Sequence, residues 1–357
     1  MYRNHTIGVV VPAYNEAGLV GDVVRTVPEY VDRVYVVDDG STDETWAEIR
    51  EAARDVNERQ GRPETNGNAS FQRRIVPIQH ERNRGVGGAI KTGYFRARDD
   101  RIDVTAVMGG DGQMPPDRLA RLLDPIVEDR VDYAKGDRLY SAETAAEMPR
   151  HRVVGNRLLG LLTKLASGYW GIDDPQNGFT AISLSALDGI DLEHVYEFYG
   201  YCNDILVKLH LEGFRVADVP HAATYDEEES HIQLTTYVPR VSAMLLSNFL
   251  RRLRTEYGRD GAAPAGVGYL VGLGLGAGGL LRALAGAVTD GPRSSGARRG
   301  VLAAAVGAIV FVAGALRERA GADDRSLTIA PTDEAPAAPA DDPAAAATDE
   351  ELEAEAD

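Results

Sequence analysis

Four short apolar runs rich in β-branched residues recur in the first third of the chain: Ile7–Val11, Arg33–Val37, Ile75–Ile78 and Val104–Met108. None alternates cleanly between polar and apolar, the pattern of strands covered on both faces. Helix-period segments lie between them: Leu19–Val27, Thr45–Arg59 and Val86–Ala97. Strand and helix in alternation predict a mainly parallel α/β sheet flanked by helices. Asn57–Arg74 breaks the rhythm with polar residues, Gly61, Pro63 and Gly67, which predicts a surface insertion. Further on, Val153–Leu165 and Asp204–Leu211 read as apolar helices and Phe214–Val219 as a strand.

The pattern changes after position 235. Tyr237–Tyr257 reads as a helix with Met244, Leu245, Leu246, Phe249, Leu250 and Leu253 apolar and Arg251, Arg252 and Arg254 basic. Such a helix can pack on the domain or lie at a membrane surface. The next segments favour the membrane. Ala265–Leu281 and Gly300–Leu316 are uncharged runs of 17 residues, at the short end of the ~17–25 that span hydrocarbon. Gly268, Gly272 and Gly276 are spaced to let two helices approach closely. Arg293, Arg298 and Arg299 in the connection oppose an outward-facing loop. A two-span hairpin would nevertheless keep both of its ends on one side, predicted to be cytoplasmic. The sequence therefore divides into a catalytic-type domain (1–235), an amphipathic juxtamembrane helix (236–260), two transmembrane helices (265–317) and an acidic tail (321–357).

Composition sharpens this. The tail holds twelve Asp or Glu and one Arg, and it lacks the apolar surface to fold, which predicts disorder. A formal net charge of −17 argues against a nucleic-acid binder. Only four residues are lysine (Lys91, Lys135, Lys164, Lys208), and acid excess with so little lysine points to a salt-adapted source. Cys202 is the sole cysteine, so no internal disulfide can form.

Candidate chemistry collects where strands end. The first strand runs into Pro12-Ala13-Tyr14-Asn15-Glu16 and the second into Asp38-Asp39-Gly40-Ser41-Thr42-Asp43. Ligands of open α/β sheets bind at carboxyl ends of strands. Tyr14, Glu16, Asp38 and Asp39 there suit a ribose hydroxyl or a base N–H better than a bare phosphate. Thr42 or Asp43 is expected to cap the following helix. After the third strand, a glycine-rich turn (Gly85, Gly87, Gly88) opens a helix and offers N–H groups to an anion, with Lys91 one turn in. After the fourth, Asp111 beside glycines can hold a hard divalent cation. No GxGxxG fingerprint follows a predicted strand, and no GxxxxGK[ST] loop is present.

Pro12-Ala13-Tyr14-Asn15-Glu16, Val37-Asp38-Asp39-Gly40-Ser41-Thr42-Asp43, Asn83-Arg84-Gly85, Asp111-Gly112-Gln113 and Asp174-Pro175-Gln176-Asn177-Gly178-Phe179, in this order, resemble the family 2 glycosyltransferases of GT-A fold. Within that family the chain looks most like the polyprenyl-phosphate hexosyltransferases, from about Ile7 to His231. The resemblance implies that Pro12, Tyr14, Glu16 and Asp39 frame the base and ribose of a UDP- or GDP-hexose. It implies Asp111 and Gln113 as ligands of Mg²⁺ or Mn²⁺ at the diphosphate. Arg138 would sit near the diphosphate or an acceptor phosphate, with Arg152 and Asn156 as further candidates. Asp174 and Gln176 would line the acceptor side. The chain departs from the family at Gly109, where an Asp usually precedes the metal carboxylate. The implied activity is transfer of a hexose to dolichyl or another polyprenyl phosphate at the cytoplasmic face of the cell membrane, for glycoprotein or surface-glycan assembly. The alternatives are extension of a lipid-linked sugar at a hydroxyl, and a non-catalytic membrane scaffold.

Overall fold

The computed structural model describes residues 1–59, 71–140, 150–220, 234–260, 264–292, 294–322 and 325–329. Its core is an eight-stranded sheet in the order β3-β2-β1-β4-β6-β5-β7-β8. The strands are β1 Ile7–Ala13, β2 Arg33–Asp38, β3 Ile75–Gln79, β4 Val104–Val107, β5 Tyr133–Asp137, β6 Thr180–Ser183, β7 Val216–Pro220 and β8 Ser326–Thr328. Only β6 runs against its neighbours, so the sheet is mixed but mainly parallel. β1 is entirely buried apart from Pro12, consistent with a strand covered on both faces.

The helices that cover the sheet are α1 Val20–Thr26, α2 Thr45–Arg59, α3 Val86–Asp99, α4 Leu119–Val127, α5 Arg150–Ser167, α6 Leu184–Gly189 and α7 Tyr201–Leu211. One face of the sheet packs Val9, Val11, Val34 and Val36 with α1, α2 and α4. The other packs Val10, Tyr35 and Val37 with α3, α6 and α7. Because β1 leads to β2 and β3 on one side while β4 lies on the other, a crevice opens at the carboxyl ends of β1 and β4. The reversed β6 begins at Thr180 opposite Val107 of β4 and Lys135 of β5. The loop entering β6, residues 174–179, therefore lies at this same edge.

α8 Leu234–Asp260 crosses the domain, and α9 Pro264–Asp290 and α10 Ser295–Ala320 form a hairpin. The two possibilities for the amphipathic helix are both partly met. Val241, Leu245, Phe249 and Leu253 are buried against the domain, while Leu246 and Leu250 are exposed beside Arg251 and Arg254. Arg252 does not join that basic face. It is 1% exposed and donates from Nη2 to Leu165 O at 2.9 Å, and it pairs with Glu318 of α10 and Glu256. Of the three arginines, only the middle one is buried, because a carboxylate from the hairpin receives it.

Glycine lets α9 and α10 touch along their length. A Cβ at Gly268 would meet Gly314, at Gly272 Phe311, at Gly279 Ala304 and at Gly286 Ala297. The reversed order of partners makes the pair antiparallel. Windows in both helices are long and apolar enough to cross a membrane, Gly266–Thr289 and Ser295–Ala320. Arg298 and Arg299 lie inside α10 rather than in the connection.

After the hairpin the chain returns to the sheet. β8 pairs in parallel with β7, Ser326 opposite Val216 and Thr328 opposite Asp218. Within the tail expected to be disordered, residues 325–329 instead pair with an otherwise open strand edge, after α10 ends at Ala320. The rest of the tail, the insertion from residue 60 to 70 and the acidic stretch Tyr225–His231 lie outside the described residues.

Candidate active site at the carboxyl edge of the sheet

The turns after β1 and β2 are stitched together. Asn15, in left-handed backbone at φ 56°, donates its N–H to Ser41 Oγ at 2.9 Å and accepts Thr42 N–H on Oδ1 at 2.9 Å. Glu16 N–H donates to Thr45 Oγ at 2.8 Å. Asp43, as expected of a cap, accepts the N–H and hydroxyl of Thr45 at the start of α2. Tyr14 is 43% exposed at this strand end, and Pro12 and Glu16 are partly exposed.

The adjacent acids Asp38 and Asp39 have different employments. Asp38 is fully buried, accepting Ser41 N–H on Oδ1 and Gln79 Nε2–H on Oδ2, each at 3.0 Å. Both of its oxygens serve the turn. Asp39 is held through Oδ1, which accepts Arg84 N–H at 2.9 Å and lies 2.7 Å from His80 Nδ1; His80 Nε2 is 2.9 Å from Thr92 Oγ on α3. His80 carries no motif, and only its position one residue past β3 could have flagged it.

The glycine-rich turn is filled by the chain itself. A Cβ at Gly85 would lie 2.6 Å from Glu197 O, and one at Gly87 2.4 Å from Tyr196 O. Gly88 N–H donates to Glu197 O at 2.9 Å. The Glu197 carboxylate accepts Arg84 Nη2–H at 3.0 Å and the Lys91 ammonium, which also reaches Glu193 O. Gly85 and Lys91 therefore seat the segment before α7, and the open anion cradle expected from sequence is absent at Gly88.

β4 continues alongside β1 past its last ladder residue: Gly110 N–H donates to Pro12 O at 3.1 Å. This carries Asp111 to the Pro12–Glu16 side of the crevice. The Asp111 carboxylate folds back over Gly109, where a Cβ would stand 2.7 Å from Oδ1, and the same oxygen accepts Gln113 N–H at 3.0 Å. Asp111 and Gln113 thus share one tight turn. One carboxylate and one amide oxygen form a donor set that suits a hard cation completing its shell with water and phosphate oxygens.

The remaining charges lie across β6. Arg138 grips Asp174 with Nε to Oδ2 at 2.7 Å and Nη2 to Oδ1 at 3.2 Å, and its N–H points to Oδ2 at 3.3 Å. Asp174 is 1% exposed, whereas the Arg138 side chain is 25% exposed. Burial pushes the Asp174 carboxyl up, but the Arg138 guanidinium and the Lys135 ammonium outweigh it and hold the group below the usual carboxylate range. Gln176 accepts the Tyr237 hydroxyl of α8 at 3.4 Å. Arg152 and Asn156 stand on α5, and their side chains lie outside the described set.

Beneath Asp174 is a cluster that sequence reading did not find. Asp137, Asp173 and Asp218 bring carboxylate oxygens within 4.8 Å of one another. Cations of the chain already answer them. Lys135 Nζ is 2.6 Å from Asp218 with both side chains 1% exposed, and Lys164 Nζ is 2.7 Å from Asp173. Lys135 and Asp137 escaped notice because a Lys-Gly-Asp sequence does not read as a strand.

An open, mainly parallel sheet with one reversed strand and carboxylates at its switch point is a GT-A architecture. The chain belongs to glycosyl transferase family 2, whose model matches residues 8–190. It is 32% identical to UDP-N-acetylglucosamine–dolichyl-phosphate N-acetylglucosaminyltransferase of Methanococcus voltae over 222 residues, 62% of this chain and 86% of that protein. It is 30% identical to polyprenol monophosphomannose synthase of Mycolicibacterium smegmatis, over 62% of this chain and 77% of that one. Among solved structures, glucosyl-3-phosphoglycerate synthase from Mycobacterium tuberculosis overlaps at a TM-score of 0.49 with 17% identity, covering 70% of this chain and 80% of that one.

Proposed function

We propose that this glycosyltransferase moves a hexose from a UDP- or GDP-hexose to a polyprenyl phosphate, of dolichyl type, with its catalytic domain at the cytoplasmic face of a membrane that the hairpin crosses. The observation that carries this reading is the Arg138–Asp174 pair. A hydroxyl acceptor needs a general base. Asp174 is the buried acid on the acceptor side, and both of its oxygens are engaged by a guanidinium that keeps it a weak base. A phosphate acceptor is already ionised near neutral pH and needs positive charge instead. The partly exposed Arg138, oriented by Asp174, is suited to hold it.

In this reading Tyr14, Glu16 and Asp39 hold the base and ribose, and the turn carrying Asp111 and Gln113 faces the diphosphate. A Mg²⁺ or Mn²⁺ ion held by Asp111 and Gln113 would neutralise charge on the leaving nucleoside diphosphate. A phosphate oxygen of the acceptor forms the new bond to the sugar's anomeric carbon from the side opposite the leaving group. The bond from that carbon to the nucleoside diphosphate breaks, with inversion. The two relatives, one named for transfer to dolichyl phosphate and one for synthesis of polyprenol monophosphomannose, support the acceptor class.

The test is a transfer assay with the full-length protein, radiolabelled UDP- and GDP-hexoses, dolichyl phosphate and Mg²⁺ or Mn²⁺. Label is expected in the organic phase with one donor and is expected to vanish in Asp111→Ala. Arg138→Lys should lower kcat/KM for the lipid phosphate roughly 10- to 100-fold, because an ammonium cannot reproduce the planar two-point contact. Label absent with every donor, while nucleotide still binds, would transfer the weight to a hydroxyl acceptor.

A further inference from the structure

We propose that β8, the strand that follows the membrane-type hairpin, is a positioning element for the acceptor-side loop 171–177, so that the order of this loop depends on the seating of the hairpin. The inference rests on the reading of Arg138 and Asp174 as the acceptor side. Three contacts carry it. Gly171 N–H donates to Ser326 Oγ at 3.1 Å, and a Cβ at Gly171 would lie 2.6 Å from that oxygen, so strand and loop are in direct apposition. Ile329 N–H donates to Asp218 O at 2.9 Å. Asp218 in turn accepts Asp173 N–H on Oδ2 at 2.6 Å and pairs with Lys135 through Oδ1. Asp173 is the residue before Asp174, which orients Arg138.

β8 thus touches the loop at residue 171 and, one residue removed, at residue 173. Leu327 and Ile329 pack against the sheet's core, which gives the strand an anchor of its own. Its other anchor is the hairpin. Glu318, in the last turn of α10, accepts hydrogen bonds from Arg252 of α8 and from the Tyr269 hydroxyl of α9. Arg252 also donates to Leu165 O of α5, and His210 of α7 lies 2.9 Å from Glu256 of α8. The end of α10 is therefore tied at Glu318 to α8 and α9, and β8, which follows it in the chain, is tied to the sheet.

The experiment compares full-length wild type with Ser326→Ala, Ile329→Pro and Ile329→Val in detergent micelles containing polyprenyl phosphate, read by hydrogen exchange and by kinetics. Ser326→Ala removes the acceptor of Gly171 N–H, and Ile329→Pro removes the donor to Asp218 O, while Ile329→Val keeps it. Peptides spanning 171–177 are expected to exchange about tenfold faster in Ser326→Ala and Ile329→Pro, and at the wild-type rate in Ile329→Val. KM for the lipid phosphate should rise about fivefold, or kcat fall as much, with nucleotide affinity unchanged. Should Ile329→Pro fail to fold, Ser326→Ala alone decides. Unchanged exchange over 171–177 in Ser326→Ala overturns the proposal. Faster exchange in a protein whose wild type transfers no sugar to lipid phosphate supports the positioning role and overturns the acceptor reading instead.

Discussion

Asp137 ends β5 with 3% of its surface exposed, among Lys135, Asp173 and Asp218. Burial, reinforced by the Asp218 charge and only partly opposed by Lys135, pushes its carboxyl up to about 6. An unfolded aspartate titrates near 4. The stability that Asp137 contributes is therefore complete below about pH 4 and is lost as the pH climbs through about 6. Asp137→Asn cannot ionise, so it should be more stable than wild type at pH 8 by on the order of 2–3 kcal/mol, with the gap closing toward pH 4. Denaturant midpoints at several pH values check this, and a gap independent of pH would refute it. Asp38 and Asp39 teach the same lesson about neighbours. Their strand-end position was legible from the apolar run before them, but nothing local told that Gln79 would claim one and His80 and Arg84 the other.

At the scale of elements, periodicity found β1 to β4, α1 to α3 and the long C-terminal helices, because each is apolar over enough residues to declare its own period. It missed β5, whose Lys135-Gly136-Asp137 is buried only because β7 supplies Asp218 across a parallel register. It missed β8, three residues long. The hairpin glycines were legible as small-residue spacing, but not which of them face the partner. A Cβ at Gly279 would lie 2.3 Å from Ala304 N, whereas one at Gly278 meets nothing within 4 Å. Gly279→Ala should therefore force the helices apart and cost roughly 1–3 kcal/mol, while Gly278→Ala should change stability by no more than about 1 kcal/mol, in the favourable direction. Thermal melting of the detergent-solubilised protein separates the two, and equal effects would contradict the packing.

For the molecule as a whole, β8 bears on a relation that charge counting left in conflict. A strand after the hairpin joins the same sheet as the strands before it, so both hairpin ends lie on the catalytic side. In the membrane reading, the connection between α9 and α10 then emerges on the opposite side. Cys202, the only native thiol, is 3% exposed and pushed up to about 12 by burial, so it should stay silent to maleimides. Against that background, Ser295→Cys in right-side-out vesicles should label with an impermeant maleimide, and Ala322→Cys should label only after permeabilisation. Labelling of both from one side would exclude a two-span hairpin.

The sequence by itself determined the alternation of strands and helices, the turns that carry Tyr14, Asp39 and Asp111, and the two apolar helices. Those properties reside in short stretches whose hydrophobic period and turn chemistry act locally. The tertiary structure alone decided which charges are buried and with whom: Lys135 with Asp218, Arg138 with Asp174, Lys91 with Glu197 and Arg252 with Glu318. A charge leaves water only when a partner compensates its lost hydration. Each of these partners comes from a distant stretch of the chain, brought close by the fold.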